Sequence, residues 1–581
     1  MRLIRPIRPH NLEVFMKTFR WITVLSVMLI LAVGFVACNN GSGTLRRTVN
    51  FDADVLVVGS GMSGLSAAMK ASEAGASVVV IEKLATIGGS SATSGGGIGA
   101  SGSSVQKELG IEDNVEAYWQ HFLMRNKQTP EQFQFQGFPE ESPTKWMLGQ
   151  SPMIIDWLRG LGMTFARPYG FGLDSAERIH GMNNPPPDYP GGGGGRIISF
   201  LATRLKERGV EIRTGTEAVR LLQVVGESGS RVIGAEVRGG SKIYARAVIM
   251  ATGGFKSNIG AFIDVPPTFT HIQSNDSLRN HFKGEGIMMA VHAGADLWEN
   301  PWTMGFGLSE ASNTHLQVPA LGTFPGRDHG MLYDTAHNNR PGWESSWSSL
   351  ATNFGMAAEI AGGKLYAIAS DQWERPLTVV RDGKTITIEN ASISTQAHRN
   401  TVAKLVRSQW VHESSSLEDL AALMGADPTR FVAAVNRFNE IADAINAVHA
   451  GPNWDDRMAF ANIDELDVEQ GNTNFNLKPP PIPIFTNITR KIYRPIRGTK
   501  FYAIRIVPDV VGTIGGVRTE TGTGRALTAD REPIPGLYAV GETSNRATNG
   551  TVYMAGSGTL QALVSGYAAG EHAAGFAAAD K

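Results

Sequence analysis

The most regular hydrophobic pattern of the chain lies in residues 54–82, where two short apolar runs flank a segment of small residues. Residues 55–58 are apolar at every position, which is typical of a strand buried on both faces. Residues 65–74 are rich in Ala and Ser, and residues 77–81 contain the second apolar run. Because the pattern changes from strand to helix and back over one short stretch, it predicts a β-α-β unit.

Glycines interrupt this unit where the first strand ends. Gly59, Gly61 and Gly64 have the G-x-G-x-x-G spacing, which supplies a tight turn, close approach to a diphosphate and close packing of the helix on the strand. Glu82 ends the second strand, where a dinucleotide site has a carboxylate that accepts hydrogen bonds from a ribose. The spacing therefore predicts a dinucleotide site with its phosphates at the helix amino terminus. The acid disfavours NADP and is compatible with FAD and NAD.

A second loop of small residues, 83–102, follows the predicted ribose acid directly and reads KLATIGGSSATSGGGIGASG. Such a loop can run close to an extended cofactor. Here the chain resembles the FAD-binding family that contains fumarate reductase flavoproteins, urocanate reductases and 3-ketosteroid dehydrogenases, in which GG-x-S-x-x-S-GGG follows the acid. The matching residues are Gly88, Gly89, Ser91, Ser94, Gly95, Gly96 and Gly97.

The resemblance implies an α/β fold: a Rossmann-like FAD-binding domain with an inserted α+β cap domain that holds the substrate. Later stretches are similar to further FAD contacts of the family, namely A-T-G-G at 251–254, the T-x-GG turn at 513–516 and the strand that ends at 541–542. The resemblance also implies that FAD is bound non-covalently and that the amino terminus of a helix beginning at 556 faces the flavin. The expected cofactor contacts are Gly59, Gly61, Met62, Ser63, Gly64, Glu82, Lys83, Gly89, Ser90, Ser91, Ser94, Gly95, Gly96, Gly97, Ala218, Ala251, Thr252, Gly253, Gly541, Glu542, Gly558, Thr559 and Leu560.

Changes in composition divide the rest of the 581-residue chain. Residues 51–297 and 501–581 carry the FAD motifs and are predicted to form the two parts of the FAD-binding domain. Residues 298–500, rich in Trp, Asn, Pro and polar loops, are predicted to form the cap. Residues 166–195 contain too much Pro and Gly for regular structure, so they are predicted to be irregular. The helices predicted in the cap are 353–362, 396–411, 417–424 and 427–443.

The amino-terminal residues predict export. An apolar run, 21–37, follows basic residues and is followed by Cys38 and small residues, the order of an export signal. The residues FVAC that end at Cys38 resemble the lipobox of bacterial lipoproteins. We predict a signal peptide over 1–38, a tether over 39–50, and a lipid on Cys38 that holds the protein on a membrane surface facing the periplasm or the cell exterior. A plain signal peptide or uncleaved anchor is the alternative, and translation starts at Met1 or Met16.

Charge and cysteine content narrow the possible partners. The net charge of −1, without a long basic run, argues against a nucleic-acid ligand. One cysteine excludes intrachain disulfides, Cys-ligated clusters and a C-x-x-C-H haem site. No metal site is predicted. Because a second dinucleotide fingerprint is missing, the expected electron partner is a separate quinone or cytochrome rather than a nicotinamide.

Two departures from the fumarate reductase pattern concern the charge of the substrate. Members of that branch hold a dicarboxylate with His and Arg, and a histidine precedes the threonine of the T-x-GG turn. Here Gly512 stands at that position, and residues 551–556, TVYMAG, replace the arginine of the last loop. Because an unpaired dicarboxylate is unfavourable in a low-dielectric pocket, the differences favour a neutral substrate.

The last loop, YMAGSGTL, is similar instead to the ending of ketosteroid dehydrogenases. The resemblance implies that the Tyr553 hydroxyl and a backbone N–H near Gly556 or Gly558 polarise a substrate ketone. Tyr333 and Tyr169 lie near the chain positions of the other catalytic tyrosines of these relatives, which implies proton removal by Tyr333. A buried structural tyrosine is the alternative at each position.

We therefore expect a FAD-dependent oxidoreductase that forms or reduces a C=C bond next to a carbonyl in a neutral, steroid-like or terpenoid small molecule. One alternative is an enoate reductase of the fumarate or urocanate type, with Arg327 or Arg340 as the acid. Another is a lipoprotein that binds FAD without catalysis. Further candidates for proton transfer or anion binding, each with a structural role as the alternative, are His180, Arg327, His329, His337 and Arg340.

Overall fold

The computed structural model describes most of the residues that carry the predicted cofactor motifs. All elements below belong to one compact unit, Phe51–Lys581. The described residues are 49–127, 141–171, 174–183, 193–226, 229–263, 281–299, 301–309, 331–339, 358, 361–371, 377–381, 384–388, 406–407, 411–449, 495–545 and 554–581.

Both helices and strands are distributed over the whole described chain. The strands are β1 (Ala53–Val58), β2 (Val78–Ile81), β3 (Ile98–Gly99), β4 (Tyr169–Phe171), β5 (Asp174–His180), β6 (Glu211–Arg213), β7 (Ala218–Gly226), β8 (Gly229–Val237), β9 (Lys242–Met250), β10 (Trp302–Ser309), β11 (Met331–Asp334), β12 (Leu365–Ser370), β13 (Leu377–Arg381), β14 (Lys384–Ile388), β15 (Val411–Ser414), β16 (Phe501–Gly516), β17 (Arg525–Leu527), β18 (Pro533–Ala539) and β19 (Ser544–Asn545). The α-helices are α1 (Met62–Glu73), α2 (Gly89–Thr93), α3 (Ser104–Glu108), α4 (Val115–Lys127), α5 (Glu141–Gly149), α6 (Ser151–Gly160), α7 (Gly193–Glu207), α8 (Glu285–His292), α9 (Leu417–Met424), α10 (Pro428–His449) and α11 (Ser557–Ala579).

The predicted β-α-β unit forms the centre of the larger sheet. Strand β1 is buried along its whole length and pairs in parallel with β2 on one side and β9 on the other. The strand order of this sheet is β17-β18-β9-β1-β2-β6. Strand β6 is parallel to β2, and β18 is parallel to β9. Burial on both faces explains why residues 55–58 are apolar at every position. The α/β fold class is confirmed.

Helices α1 and α11 pack tightly together beside this sheet, and small residues make the approach possible. A Cβ at Gly566 would overlap the Ser63 carbonyl oxygen, and one at Gly570 would overlap the Ala67 carbonyl oxygen. Ser66 adds a hydrogen bond from its hydroxyl to the Leu563 carbonyl, 2.8 Å. This contact holds two helices, one from each end of the described chain, side by side.

The alternating pattern of residues 219–250 predicts a small β-meander. The meander is present, and its last strand belongs to two arrangements. Strands β7, β8 and β9 are antiparallel neighbours, while β9 also pairs in parallel with β1. The burial of β9 alternates at first and then becomes complete from residue 247 onward, where the strand lies inside the parallel sheet. The meander therefore continues directly into the A-T-G-G segment.

A second sheet is organised by β16. The sequence predicts a strand over 501–506, and the observed strand continues to Gly516, pairing antiparallel with β10, β12 and β15.

Helices α9 and α10 confirm two of the cap helices and pack on this sheet through Leu420, Phe431 and Phe438. The end of the predicted helix 396–411 is wrong, because Val411 begins strand β15. Most of the other predicted cap helix, 353–362, lies outside the described residues.

The prediction of irregular structure over 166–195 is also wrong in part. This segment contains β4 and β5, and α7 begins at Gly193. Strand β5 pairs antiparallel with β3, with His180 opposite Ile98. Backbone pairing with β3 and burial of residues 178–180 outweigh the Pro and Gly content of the segment.

Candidate functional site

A cavity of about 440 Å³ lies at the carboxyl ends of β1, β2 and β9. Its lining begins at Val58, Ile81 and Ala251, the residues with which these strands end or which directly follow them. This position is where open α/β sheets bind ligands, and the volume lies in the ordinary range for a ligand site.

The glycine turn after β1 leaves no space for larger residues at two positions. Gly59 has φ +109°, and a Cβ there would overlap the Ala251 carbonyl oxygen. A Cβ at Gly64 would overlap the Gly59 carbonyl oxygen. Gly61, by contrast, has only the Ser91 hydroxyl at 3.6 Å and the Gly88 carbonyl at 3.9 Å near its Cβ position. Gly59 and Gly64 therefore shape the turn, while Gly61 lines the cavity.

The amino terminus of α1 faces this cavity without a side-chain cap. Its N-cap residue is Gly61, and neither the cap nor the first turn carries an acid. The first residues of the helix, Met62 and Ser63, line the cavity. Backbone N–H groups and the positive end of the helix dipole make such a terminus a site for an anion.

Glu82 is held in place by backbone and hydroxyl groups. Its Oε2 accepts hydrogen bonds from the Ser60 N–H, 3.0 Å, and the Ser60 hydroxyl, 2.7 Å. Its Oε1 accepts from the Leu84 N–H at 2.9 Å. A carboxylate has about four acceptor positions, so it can also accept hydrogen bonds from ribose hydroxyls in the cavity that it lines.

The second glycine-rich loop is packed between α1 and α7. The Ser91 hydroxyl accepts a hydrogen bond from the Met62 N–H at 3.1 Å. A Cβ at Gly96 would overlap the backbone of Gly193, and one at Gly194 would overlap the Ser91 carbonyl oxygen. The loop can therefore approach the start of α7 this closely only because Gly96, Gly193 and Gly194 have no side chains.

The carboxyl-terminal part supplies further residues of the cavity wall. Glu542 accepts hydrogen bonds from the Thr513 N–H, 3.2 Å, and the Thr513 hydroxyl, 3.3 Å. Helix α11 begins after Gly556, which has φ +78° and gives no side-chain cap. The Gly556 carbonyl accepts a hydrogen bond from the Gly99 N–H at 3.0 Å, which holds the helix end beside β3. A second positive helix terminus thus lines the cavity at Gly558.

A family model described as an FAD binding domain matches residues 54–559. The chain belongs to this family. FAD is therefore its cofactor, as the second glycine-rich loop predicts. The site has the groups that FAD requires: an uncapped helix terminus for the diphosphate, Glu82 for a ribose and a second helix terminus for the flavin.

Similarity to individual proteins includes both branches named above. The chain is 27% identical over 530 residues to the NADH:fumarate oxidoreductase of Klebsiella pneumoniae (strain 342), covering 90% of this chain and 47% of that protein. It is 25% identical to the 3-oxosteroid 1-dehydrogenase of Mycobacterium tuberculosis (strain ATCC 25618 / H37Rv), covering 90% of this chain and 98% of that protein. The chain thus spans about half the length of the first relative and nearly all of the second.

Among solved structures, the 3-ketosteroid Δ1-dehydrogenase from Sterolibacterium denitrificans in complex with 1,4-androstadiene-3,17-dione is similar in fold. The TM-score is 0.63 with 20% identity, and the match covers 90% of this chain and 99% of that one. The family model and the relatives found by sequence confirm the prediction of a FAD-dependent oxidoreductase of this family.

Most of the predicted cofactor residues meet at this FAD-binding cavity. Gly64 and Leu560 are not in its lining; Gly64 packs on Gly59, and Leu560 is fully buried in the core. The lining residues from the prediction are Gly59, Gly61, Met62, Ser63, Glu82, Lys83, Gly89, Ser90, Ser91, Ser94, Gly95, Gly96, Gly97, Ala218, Ala251, Thr252, Gly253, Gly541, Glu542, Gly558 and Thr559. The motif spacing did not single out the lining residues Lys256, Phe282, Glu285, Met289 and Asn545.

The structure describes two of the three predicted catalytic tyrosines and places them in different surroundings. Tyr169 lines the cavity, is 48% exposed, and has its hydroxyl 3.5 Å from the Cβ position of Gly97. Tyr553 lies outside the described residues. The third, Tyr333, is fully buried in the core beneath the second sheet, with its ring against Phe431 at 4.9 Å between centroids.

Tyr333 does not belong to the cavity lining. Its hydroxyl has no hydrogen-bond partner within the described part of the chain. Burial, followed by the charge of Asp427, raises the pKa of Tyr333 above its ordinary value, the direction opposite to the one a proton acceptor needs. The assignment of Tyr333 as the proton acceptor is therefore corrected: Tyr333 lies in a hydrophobic core. Its position along the chain could not show this.

The predicted histidines that the structure describes have structural partners. His180 is fully buried, donates from Nδ1 to the Arg178 carbonyl at 2.8 Å, and accepts at Nε2 from the Ser103 hydroxyl at 2.7 Å. Burial lowers the pKa of His180, so it is held neutral. His337 bonds to Asp334, 2.6 Å, and neither histidine lines the cavity.

The remaining proposed proton donors and anion-binding residues are not placed by the structure. Arg327, His329 and Arg340 lie outside the described residues. Within the described ranges, no group of three or more His, Cys, Asp or Glu side chains is arranged to hold a metal ion.

Proposed function

We propose that this protein is a FAD-dependent dehydrogenase or reductase of the ketosteroid dehydrogenase type, which forms or reduces a C=C bond next to a carbonyl in a largely neutral substrate. The observation that carries the proposal is a phenol hydroxyl, that of Tyr169, at the wall of the FAD-binding cavity beside Gly97. A hydroxyl there suits a substrate with a ketone or an acidic C–H bond better than one with two carboxylates.

The charges around Thr513 support a neutral substrate. Gly512 precedes Thr513, where fumarate reductases of the family have a histidine, and Thr513 itself bonds to an acid, Glu542, at 3.2 Å. Of the lysines in the lining, Lys83 is paired with Glu285 at 3.2 Å. A dicarboxylate beside Thr513 would have an acid as its neighbour, and burying it there would cost several kcal/mol, roughly the penalty of an unpaired buried charge.

The reaction removes or adds two hydrogens on neighbouring carbons. Bound FAD supplies hydride transfer to or from one of these carbons. In the direction that forms the double bond, a tyrosine of the protein takes the proton from the carbon next to the carbonyl, and in reverse it returns it. Tyr553 and a backbone N–H near Gly556 or Gly558 donate hydrogen bonds to the carbonyl oxygen, which makes the neighbouring C–H more acidic. Tyr169 lines the cavity, and this position supports our proposal that Tyr169 moves the proton.

A fumarate- or urocanate-type enoate reductase is the second candidate. It is favoured by the 27% identity to the NADH:fumarate oxidoreductase and by a second lysine, Lys256, in the cavity lining. In this case a cation would bind the substrate carboxylate, and Arg327 or Arg340 would supply the proton.

Anaerobic spectroscopy of the purified protein with a panel of compounds tests the proposal. We expect 3-keto steroids or related saturated ketones to bleach the oxidised flavin, and the corresponding enones to reoxidise the reduced flavin. Reoxidation by fumarate or urocanate alone would overturn the neutral-substrate proposal in favour of the enoate reductase. If the flavin responds to none of the compounds, a protein that binds FAD without catalysis would be favoured instead.

We also propose a lipid anchor on Cys38, an exported protein on a membrane surface, and a separate quinone or cytochrome as the electron partner. The described part of the chain contains no helix with the length and apolar character of a membrane span. The prediction for Cys38 rests on the residues FVAC, and Cys38 itself lies outside the described residues.

We expect Cys38→Ser to release the protein from the membrane fraction and to abolish labelling with a radioactive fatty acid. Unchanged fractionation and labelling would contradict the anchor.

A further inference from the structure

Ser60 lies between the first two glycines of the turn after β1, at a position that the G-x-G-x-x-G spacing leaves open. It is fully buried and does not line the cavity. Its backbone N–H donates to Glu82 Oε2 at 3.0 Å, and its hydroxyl donates to the same oxygen at 2.7 Å. A residue outside the cavity thus makes two hydrogen bonds to the carboxylate that is assigned to the ribose.

The Ser60 hydroxyl also connects this carboxylate to the second glycine-rich loop. It accepts a hydrogen bond from the Gly88 N–H at 3.1 Å, and Gly88 is the N-cap residue of α2. A hydroxyl can donate to a carboxylate and accept from an N–H at the same atom, which a methyl group cannot do. The glycine turn, the ribose acid and the second loop therefore meet at one buried oxygen.

The carboxylate of Glu82 is also fixed from its other side. Oε1 accepts from the Leu84 N–H at 2.9 Å, and the Glu82 N–H donates to the Arg213 carbonyl at 2.9 Å. Three hydrogen bonds from the protein thus orient a group with about four acceptor positions, and the capacity that remains is available to the ribose.

Without the Ser60 hydroxyl, one backbone N–H would remain at each oxygen of Glu82. The bond that is lost is the short, charge-assisted one at 2.7 Å. A glutamate side chain has several rotatable bonds, so a less restrained carboxylate must be ordered when the ligand binds, and this weakens binding. The hydroxyl therefore orders the acid before FAD enters.

We infer that Ser60 is a positioning residue for FAD, whose hydroxyl holds the Glu82 carboxylate in the orientation that binds the adenosine ribose. The inference rests on FAD binding and is independent of which substrate the enzyme takes. A purely structural serine, needed only as the acceptor for the Gly88 N–H, is the alternative. The two roles differ in their effect on recognition of the ribose hydroxyls.

The experiment compares the dissociation constants of FAD and of an FAD analogue whose adenosine ribose lacks both hydroxyls, each measured with flavin-depleted protein. We expect the original protein to bind FAD about 30-fold more tightly than the analogue, because the missing hydrogen bonds have a charged acceptor. In Ser60→Ala the affinity for FAD should fall about tenfold, while the affinity for the analogue should stay within about twofold. The preference for FAD should therefore fall to about threefold.

Ser66→Ala is the matched control. Ser66 is also fully buried and outside the cavity lining, and its hydroxyl donates to the Leu563 carbonyl at 2.8 Å. This variant should lower the melting temperature and keep the preference for FAD near about 30-fold, because it leaves Glu82 unchanged. Glu82→Ala is the reference for lost ribose recognition, and its preference should be about threefold or less.

Ser60→Cys keeps a side chain of similar size, so it tests the orientation of Glu82 if Ser60→Ala folds poorly. Because a thiol is a weak donor, the preference for FAD should fall below about tenfold in this variant as well. An equal loss of affinity for FAD and the analogue in Ser60→Ala would overturn the proposal and leave Ser60 with the structural role at Gly88. Unchanged dissociation constants, or a Glu82→Ala protein that keeps the preference, would overturn it too.

Discussion

Replacing Gly61 by alanine is expected to weaken FAD binding by about 100-fold while the fold is retained. A Cβ at Gly61 has only ordinary contacts in the protein, 3.6 Å to the Ser91 hydroxyl and 3.9 Å to the Gly88 carbonyl. The same methyl group would stand where the diphosphate approaches the backbone at the start of α1. The cost therefore falls on the ligand and not on the turn.

Flavin content after purification and the dissociation constant of FAD measure this effect, and thermal unfolding of the flavin-depleted protein checks the fold. Gly149→Ala is the matched control, since a Cβ there has nothing within 4 Å and Gly149 does not line the cavity. Gly64→Ala should behave differently and lower the stability itself, because its Cβ would overlap the Gly59 carbonyl oxygen. A Gly61→Ala protein with the original affinity for FAD would refute the placement of the diphosphate at this turn.

Replacing Tyr553 by phenylalanine is expected to lower turnover by about 100-fold to 1000-fold, the usual effect of removing one donor to a developing oxyanion. The flavin should remain bound, because Tyr553 is predicted to contact the substrate carbonyl and not the cofactor. The same loss should appear in kcat/KM for every ketone that the enzyme accepts.

Stopped-flow measurement of flavin reduction by the substrate isolates the chemical step from reoxidation. Tyr333→Phe is the matched control, because Tyr333 lies in a hydrophobic core away from the cavity and its hydroxyl has no hydrogen-bond partner in the described ranges. This control should keep its rate within about twofold, since it removes a buried, unsatisfied hydroxyl. A normal reduction rate in Tyr553→Phe would remove Tyr553 from the mechanism, and a slow Tyr333→Phe would return Tyr333 to it.

The sequence alone was enough to place the local features of the FAD site. Strand β1, helix α1 and strand β2 follow from a change of hydrophobic period over 54–82, and Gly59 and Gly64 from the spacing of a turn that tolerates no side chain. These features depend on residues close together in the chain, so their pattern is visible without the fold. The resemblance of the second loop to a known family then supplied the cofactor.

The tertiary structure decided which distant residues meet at that site. Tyr169 lines the cavity because its strand, β4, pairs with β5, which in turn pairs with β3. Tyr333, a candidate on the same ground of chain position, is buried in another core. Lys256 and Phe282 are brought together by two hydrogen bonds between Ser257 and Phe282, one between backbone groups and one to the Ser257 hydroxyl. No local pattern in the sequence predicts that these two residues meet. Long-range pairing is set by how whole strands and loops pack, and this explains why one sequence could identify the cofactor but not the complete wall around it.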